Sequence, residues 1–346
     1  MAPTPRKRRK SVRKTSSART KARRRSAPPA PAAARTRRSA PLALVTGITP
    51  KSAPADDLTL PAVQFVQAHN TYAYDARPQT ANGFGDLVES LYVEGVRGIE
   101  LDAWQADGKW QWSVAHSGGF KPDPDCQLDT YLRAVSEWSE RRRQGAGHEP
   151  VVVIVEMKDA LLDHGFPDAF DKYAGTALAK SILFQPRSVL HTPEERLGDA
   201  IRDPSRWPTL RMMRNTLMVC LSGDAQKNEM YASANHALRL GFADYPAQYT
   251  PGDPTTFMGN NRVILSIGSG PGGLLGGWED VLERIVGGSP DLARAWWDHI
   301  EAIGLGEHLA DSATALDKGA WCVASDRSHE LIPKLGWSGF RRRPVG

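Results

Sequence analysis

From residue 58 onward, short apolar runs alternate with stretches of helical period. Residues 62–68 read as a strand that ends at His69. A helical pattern over 83–94 is followed by a second strand at 96–104. Residues 109–115 then alternate in the manner of an added strand or hairpin arm. Residues 126–143 are helical, and 151–157 form an almost unbroken β-branched run. That run lacks the alternation of a half-exposed strand, so it reads as a buried parallel strand. Later strands are expected at 216–221, 263–267 and 320–324, with helices such as 278–286 and 292–303 between them. Strand–helix alternation over about 280 residues predicts an α/β fold, a TIM-type (β/α)8 barrel with room for irregularity. A doubly wound open sheet is the structural alternative, but no Gly-x-Gly-x-x-Gly follows the first strand.

Charge changes the picture at the N-terminus. Of the 44 Lys and Arg residues, 15 lie in the first 50 positions, where there is no Asp or Glu. The rest of the chain carries 29 basic residues against 39 acidic ones, a net of −10, so the basic character belongs to an arm and the body is acidic. Residues 1–57, rich in Arg, Lys, Ala, Pro and Ser, bury too little apolar surface to offset their ordering entropy and are expected to be disordered. The body, 58–346, is then one domain. The arm has three readings: a nucleic-acid-binding segment, an anchor on an anionic membrane surface, or a targeting extension. The cytoplasm or a membrane periphery is the expected location; the alternative is export, through a weak signal of the twin-arginine kind made of Arg37-Arg38, the barely apolar stretch 41–48 and Ala53-Pro54-Ala55. No apolar run reaches the roughly 18 residues of a membrane span. Cys126, Cys220 and Cys322 have no metal-ligand spacing, and the last two sit in apolar runs as small core residues.

The candidate chemistry sits where strands end. His69-Asn70-Thr71-Tyr72, Glu100-Leu101-Asp102, His116 and Glu156-Met157-Lys158-Asp159 each follow or close a predicted strand. In a barrel those ends form the active-site rim. Side chains two apart on a strand share a face, so Glu100 pairs with Asp102 and Glu156 with Lys158. If Ile99, Leu101 and Ala103 pack outward, the acids point into the barrel. Three acids in one mouth repel unless a cation neutralises them, and carboxylates with the Asn70 carbonyl are hard donors suited to Ca²⁺ or Mg²⁺ rather than zinc. His69 and His116 are then left for proton transfer. Each piece alone has an ordinary explanation: a solvated strand edge, a hydrogen-bonded histidine, a local ion pair. Their joint occurrence at successive strand ends is what points to a site.

Taken in this order, the His-Asn-Thr-Tyr segment, the strand Gly-Val-Arg-Gly-Ile-Glu-Leu-Asp, the Val-x-His strand and the run into Glu-x-Lys-Asp resemble the catalytic half of the phosphoinositide-specific phospholipases C. The bacterial calcium-dependent members are the nearest in pattern. The likeness is close over 62–160 and general beyond, with the stretch from Thr192-Pro193 to Trp207-Pro208-Thr209-Leu210 also similar to that bacterial group. The resemblance implies His69 and His116 as a catalytic pair and Asn70, Glu100, Asp102 and Glu156 as a calcium shell. Lys158 would lie near the substrate phosphate or head group. The activity implied is phospholipase C cleavage of a phosphatidylinositol-type lipid, the roles of acid and base between the two histidines left open. In the late strands Arg327, in Ser325-Asp326-Arg327, is the best candidate for a phosphate contact; an ordinary surface turn is the other reading. Two rivals stand beside this: a barrel phosphodiesterase of the glycerophosphodiester or sphingomyelinase-D type, and a non-enzymatic barrel that holds nucleic acid with its basic arm.

Overall fold

The computed structural model describes residues 57–72, 95–158, 163–201, 203–233, 235–246, 261–267, 269–270, 273–274, 282, 292–296, 305–325, 327–336 and 339–343. The basic arm up to residue 56, the helix expected at 83–94, Asp159 and all of 278–286 but Leu282 lie outside them. The strands are β1 Val63–Ala68, β2 Val96–Gln105, β3 Trp112–Val114, β4 Val151–Met157, β5 Leu217–Gly223 and β6 Phe242–Pro246. They continue as β7 Ile264–Ile267, a small antiparallel pair β8 Ser269–Gly270 and β9 Gly273–Leu274, then β10 Leu292–Trp296, β11 Cys322–Ser325 and β12 Arg341–Arg342.

Parallel pairing runs β1–β2–β4–β5–β6–β7–β10–β11 and returns to β1. Eight parallel strands therefore close into a barrel, as the alternation of elements predicts. Along β2 and β4 the residues of one face (Ile99, Leu101, Ala103, Val151, Val153, Val155) pack with Leu132, Trp138, Phe166 and Phe170 of the outer helices Leu128–Arg143 and Phe166–Ala174. The other face turns inward. Phe65, Val152, Ile154, Met218, Cys220, Phe242, Ile264 and Cys322 share a second cluster that fills the barrel floor. Both barrel cysteines, Cys220 and Cys322, are buried there and neither is part of a disulfide. Trp321 closes the floor, edge-on to Phe65 at 4.8 Å and donating from its indole N–H to the Leu60 carbonyl. The C-terminal β12 runs antiparallel to the start of β1. Apolar and aromatic side chains buried in this way contribute about 1.5–3 kcal/mol each, so the floor supplies stability and the mouth is free to be polar.

Two elements differ from expectation. Residues 292–296 form a strand between β7 and β11, where a helix over 292–303 is expected. Leu, Ala and Arg are good helix formers, but local preference of a few tenths of a kcal/mol per residue yields to eight-strand closure, which needs a partner for both neighbours. Likewise β6, Phe-Ala-Asp-Tyr-Pro, has no β-branched residue to announce it. Among the described residues, no helix is long and apolar enough to cross a membrane.

Candidate active site

The site begins with two small-residue decisions. A Cβ on Gly98 would meet Gln67 Cγ and Phe65 Cε2, both at 2.9 Å, so glycine here gives β1 side chains room on the inner face. Gln67, two residues before His69 and on the same face of β1, uses that room: its Nε2 donates to Glu100 Oε2 at 2.9 Å. At the end of β5, Gly223 has φ +88°, and a Cβ there would lie 2.4 Å from the Met157 carbonyl and 2.8 Å from Glu156 Cγ. Glycine is required on both counts, conformation and space.

The His-Asn-Thr-Tyr segment then folds over the end of β2. Thr71 clamps Glu100 through both backbone groups, accepting from its N–H at 3.0 Å and donating to its carbonyl at 2.7 Å. Asn70 takes the left-handed region, φ 52°, which asparagine tolerates. Its Nδ2 lies 3.0 Å from His69 Nδ1. An amide N–H must donate, so Nδ1 accepts and the neutral His69 ring carries its proton on Nε2, 3.2 Å from Glu100 Oε1. The Tyr72 hydroxyl sits between Asn70 Oδ1 at 2.7 Å and Asp102 Oδ2 at 2.6 Å. Burial and then Asp102 push its ionisation far above the ordinary tyrosine range, so it stays a donor.

β3 returns antiparallel to the end of β2, with Ala103 opposite Val114 and the Ala115 N–H bonded to the Asp102 carbonyl. This lays His116 back over the mouth, where Nδ1 stands 3.7 Å from Asp102 Oδ2 and a quarter of the side chain is exposed. On the other side of β2, parallel register sets Asp102 beside Glu156, and Glu156 beside Ser222. Glu100, Asp102 and Glu156 thus present carboxylate oxygens that all lie within 4.8 Å of one another. Lys158 closes the group, its Nζ 3.1 Å from Asp102 Oδ2 and 2.9 Å from Glu156 Oε1.

Electrostatics follow from this crowding. Burial lifts the Asp102 carboxyl up to about 6, Lys158 opposing the rise and Glu100 adding to it. Burial, Asp102 and Glu100 push Glu156 up to about 8 against the pull of Lys158. Burial alone would lower the Lys158 ammonium, but Glu156 and Asp102 outweigh it and hold it above the ordinary lysine range. Asp102 Oδ1 is buried and, among the described residues, has no hydrogen-bond partner. Leaving such an acceptor unsatisfied costs about 1–3 kcal/mol. A hard divalent cation removes that cost and the mutual repulsion together, so Glu100, Asp102 and Glu156, with the nearby Asn70 amide oxygen, fit a Ca²⁺- or Mg²⁺-class ion.

The structure brings seven of the eight expected site residues together: His69, Asn70, Glu100, Asp102, His116, Glu156 and Lys158. Arg327 is different. It follows β11, which pairs with β1 next to His69, but its guanidinium is engaged by Glu330 in the helix Ser328–Leu335, with Nε donating at 2.6 Å. Sequence reasoning gave no role to Gln67, Thr71 or Tyr72. The first has a readable signal, its spacing of two from His69. Nor does the sequence announce the polar cluster next to Glu156, where Asp244 accepts from Ser222 and Ser266 hydroxyls at 2.5 Å and from Asn228 Nδ2 at 2.7 Å. Ser222, Asp244 and Ser266 meet through register across β5, β6 and β7, and Asn228 joins them from the helix Ala225–Ser233.

By sequence, no family model and no curated protein matches the chain. The fold does find matches. The calcium-dependent phosphoinositol-specific phospholipase C of a Pseudomonas species, in apo form, is 18% identical with a TM-score of 0.59, over 84% of this chain and 97% of that one. The myo-inositol complex of the Pseudomonas enzyme gives 17% identity and a TM-score of 0.56, over 83% and 96%. A calcium-dependent phosphatidylinositol-specific phospholipase C from Streptomyces antibioticus gives 17% and 0.56, over 83% and 99%. The chain shares the closed α/β-barrel fold of these phosphodiesterases along nearly their whole length.

Proposed function

We propose that the chain is a phosphoric diester hydrolase of the phospholipase C type, acting on a phosphatidylinositol-type phospholipid with the help of a divalent cation, Ca²⁺ ahead of Mg²⁺. One observation carries this reading: three carboxylates, those of Glu100 and Asp102 buried and that of Glu156 partly so, converge within 4.8 Å at the mouth of a parallel barrel, with an imidazole on each flank. The solved structures of like fold support it, since they are calcium-dependent enzymes of this class and one was solved with myo-inositol.

The residues divide the work as follows. A hydroxyl next to the phosphodiester attacks phosphorus and loses its proton to a base. The bond from phosphorus to the lipid oxygen breaks, and an imidazolium protonates the departing alkoxide. His69 and His116 form that acid–base pair. His69 is oriented from both ring nitrogens, by Asn70 and Glu100, whereas His116 is half-buried at the edge of the mouth. Glu100, Asp102, Glu156 and Asn70 would hold the cation, with Gln67 bonded to the Glu100 side chain, Tyr72 to those of Asn70 and Asp102, and Thr71 to the Glu100 backbone. When bound, such an ion lowers the pKa of the attacking hydroxyl and offsets charge on the phosphoryl oxygens. With an inositol lipid the products are a cyclic inositol phosphate and diacylglycerol. The test is turnover of a panel of phospholipids in CaCl2 and in excess chelator. Hydrolysis of inositol lipids that needs the metal supports the reading. Full turnover by protein shown to be metal-free would refute the cation's role, and no turnover of any diester would refute the activity.

A further inference from the structure

Lys158 lies against two of the three carboxylates that would hold a metal ion. It is the first residue beyond β4, pinned by its backbone N–H on the Ala103 carbonyl, and its ammonium reaches back over Asp102 and Glu156 at 3.1 and 2.9 Å. Those are two of the three carboxylates that converge on one point. An ammonium and a divalent cation on the same carboxylates would repel at near-contact distance, so the two compete for them.

We infer that Lys158 is a tethered internal cation that a metal ion must displace, and that this competition sets the metal affinity and selectivity of the site. The inference rests on the metal reading proposed above. Three features make the lysine suited to the task. Its stem is four flexible carbons ending in a compact charge, so the head group moves while the backbone stays. About a quarter of the side chain is exposed at the mouth, which gives the displaced ammonium somewhere to turn. The carboxylates it leaves offer several oxygens at once, which rewards a doubly charged ion and not a singly charged one. A Na⁺ or K⁺ ion would exchange one unit charge for another and gain little. Once displaced, the ammonium faces the same mouth as the substrate phosphodiester, so metal entry would add a positive charge for the incoming anion.

A purely structural clasp predicts something different. Removing a clasp lowers stability and, by loosening the carboxylates, lowers metal affinity as well. Removing a competitor lowers the stability of the metal-stripped protein, because three acids lose their counter-charge, yet raises metal affinity. The experiment is Ca²⁺ titration by calorimetry and thermal unfolding, in chelator and in CaCl2, of the full chain as wild type, Lys158→Met and Lys158→Arg. K158M should bind Ca²⁺ at least about tenfold tighter than wild type, within the usual range of site-to-site coupling. It should melt lower in chelator and recover in CaCl2, while K158R should keep an affinity near that of wild type. Should K158M not fold, the ammonium signal of Lys158 in proton–nitrogen NMR, assigned by its absence from K158R, should move when CaCl2 is added to wild type. Equal or weaker Ca²⁺ binding by K158M, or an ammonium signal unmoved by bound Ca²⁺, overturns the inference and leaves the metal site standing. No Ca²⁺ binding by wild type overturns both.

Discussion

Replacing Glu156 with glutamine should make the metal-stripped protein more stable and the calcium-loaded protein less so. In the unfolded chain Glu156 ionises near 4.5; in the folded chain burial and the Asp102 and Glu100 carboxylates push it up to about 8. Between those two values the folded state holds a proton that the unfolded state has lost. Stability therefore falls as pH rises through that window and is lowest above it. At about 1.4 kcal/mol per pH unit, the span from 4.5 to 7 costs about 3 kcal/mol. The attraction of Lys158 is already contained in that value, since it opposes the rise. E156Q keeps the shape and removes the charge, so in chelator it should match wild type closely at pH 5 and exceed it by about 3 kcal/mol at pH 7. In CaCl2 the order should reverse, because bound ligand stabilises only the chain that holds it. Urea unfolding followed by tryptophan fluorescence, at pH 5 to 8 with chelator or CaCl2, measures both. If E156Q is no more stable than wild type in chelator at pH 7, the three carboxylates do not crowd one another and the electrostatic reasoning fails.

His69→Ala and His116→Ala should each lower turnover by roughly 10²–10⁴-fold, the usual worth of a general acid or base, with little change in folding by circular dichroism. His148 provides the contrast. It is buried at the start of β4, bonded to Ser139 Oγ and the Glu149 carbonyl at 2.7 Å each, and burial holds its imidazole below 6.5. The folded chain then refuses a proton that the unfolded chain takes as pH falls below about 6.5, so His148→Gln should cost more stability at pH 8 than at pH 5 while per-molecule turnover holds. Gly223→Ala should weaken Ca²⁺ binding measured by calorimetry, and cost about 1–3 kcal/mol in unfolding, because its Cβ collides with Glu156 at a φ alanine resists. A chain beginning at Asp57 should keep turnover on a monomeric diester yet lose salt-sensitive sedimentation with anionic vesicles. Retained sedimentation would place a basic surface on the barrel.

The site was legible where chemistry and strand period coincide. Glu100 and Asp102 are two apart on a run whose other residues are Ile99, Leu101 and Ala103, so apolar packing on one face dictates carboxylates on the other. His69 and Lys158 follow directly on β-rich runs. Legibility ended where placement depends on register between distant strands. Ser222, Asp244 and Ser266 each look ordinary in their own segments, and parallel pairing makes them a hydrogen-bonded cluster. The strands at 242–246 and 292–296 were hidden for a related reason: barrel closure sets their conformation, against what Ala, Asp, Arg and Leu prefer locally. Arg327 follows a strand, and that place alone does not report that Glu330, three residues on, takes the guanidinium.

The most direct test of the whole account is the identity of the phosphorus-containing product. Purified protein is incubated with phosphatidylinositol micelles in CaCl2, and the reaction is followed by phosphorus NMR with diacylglycerol measured in parallel. A five-membered cyclic inositol phosphate appearing first, with equimolar diacylglycerol, and absent from H69A, is the result expected of attack by a neighbouring hydroxyl at this site. Phosphatidic acid with free inositol, or an unchanged lipid signal, would contradict it.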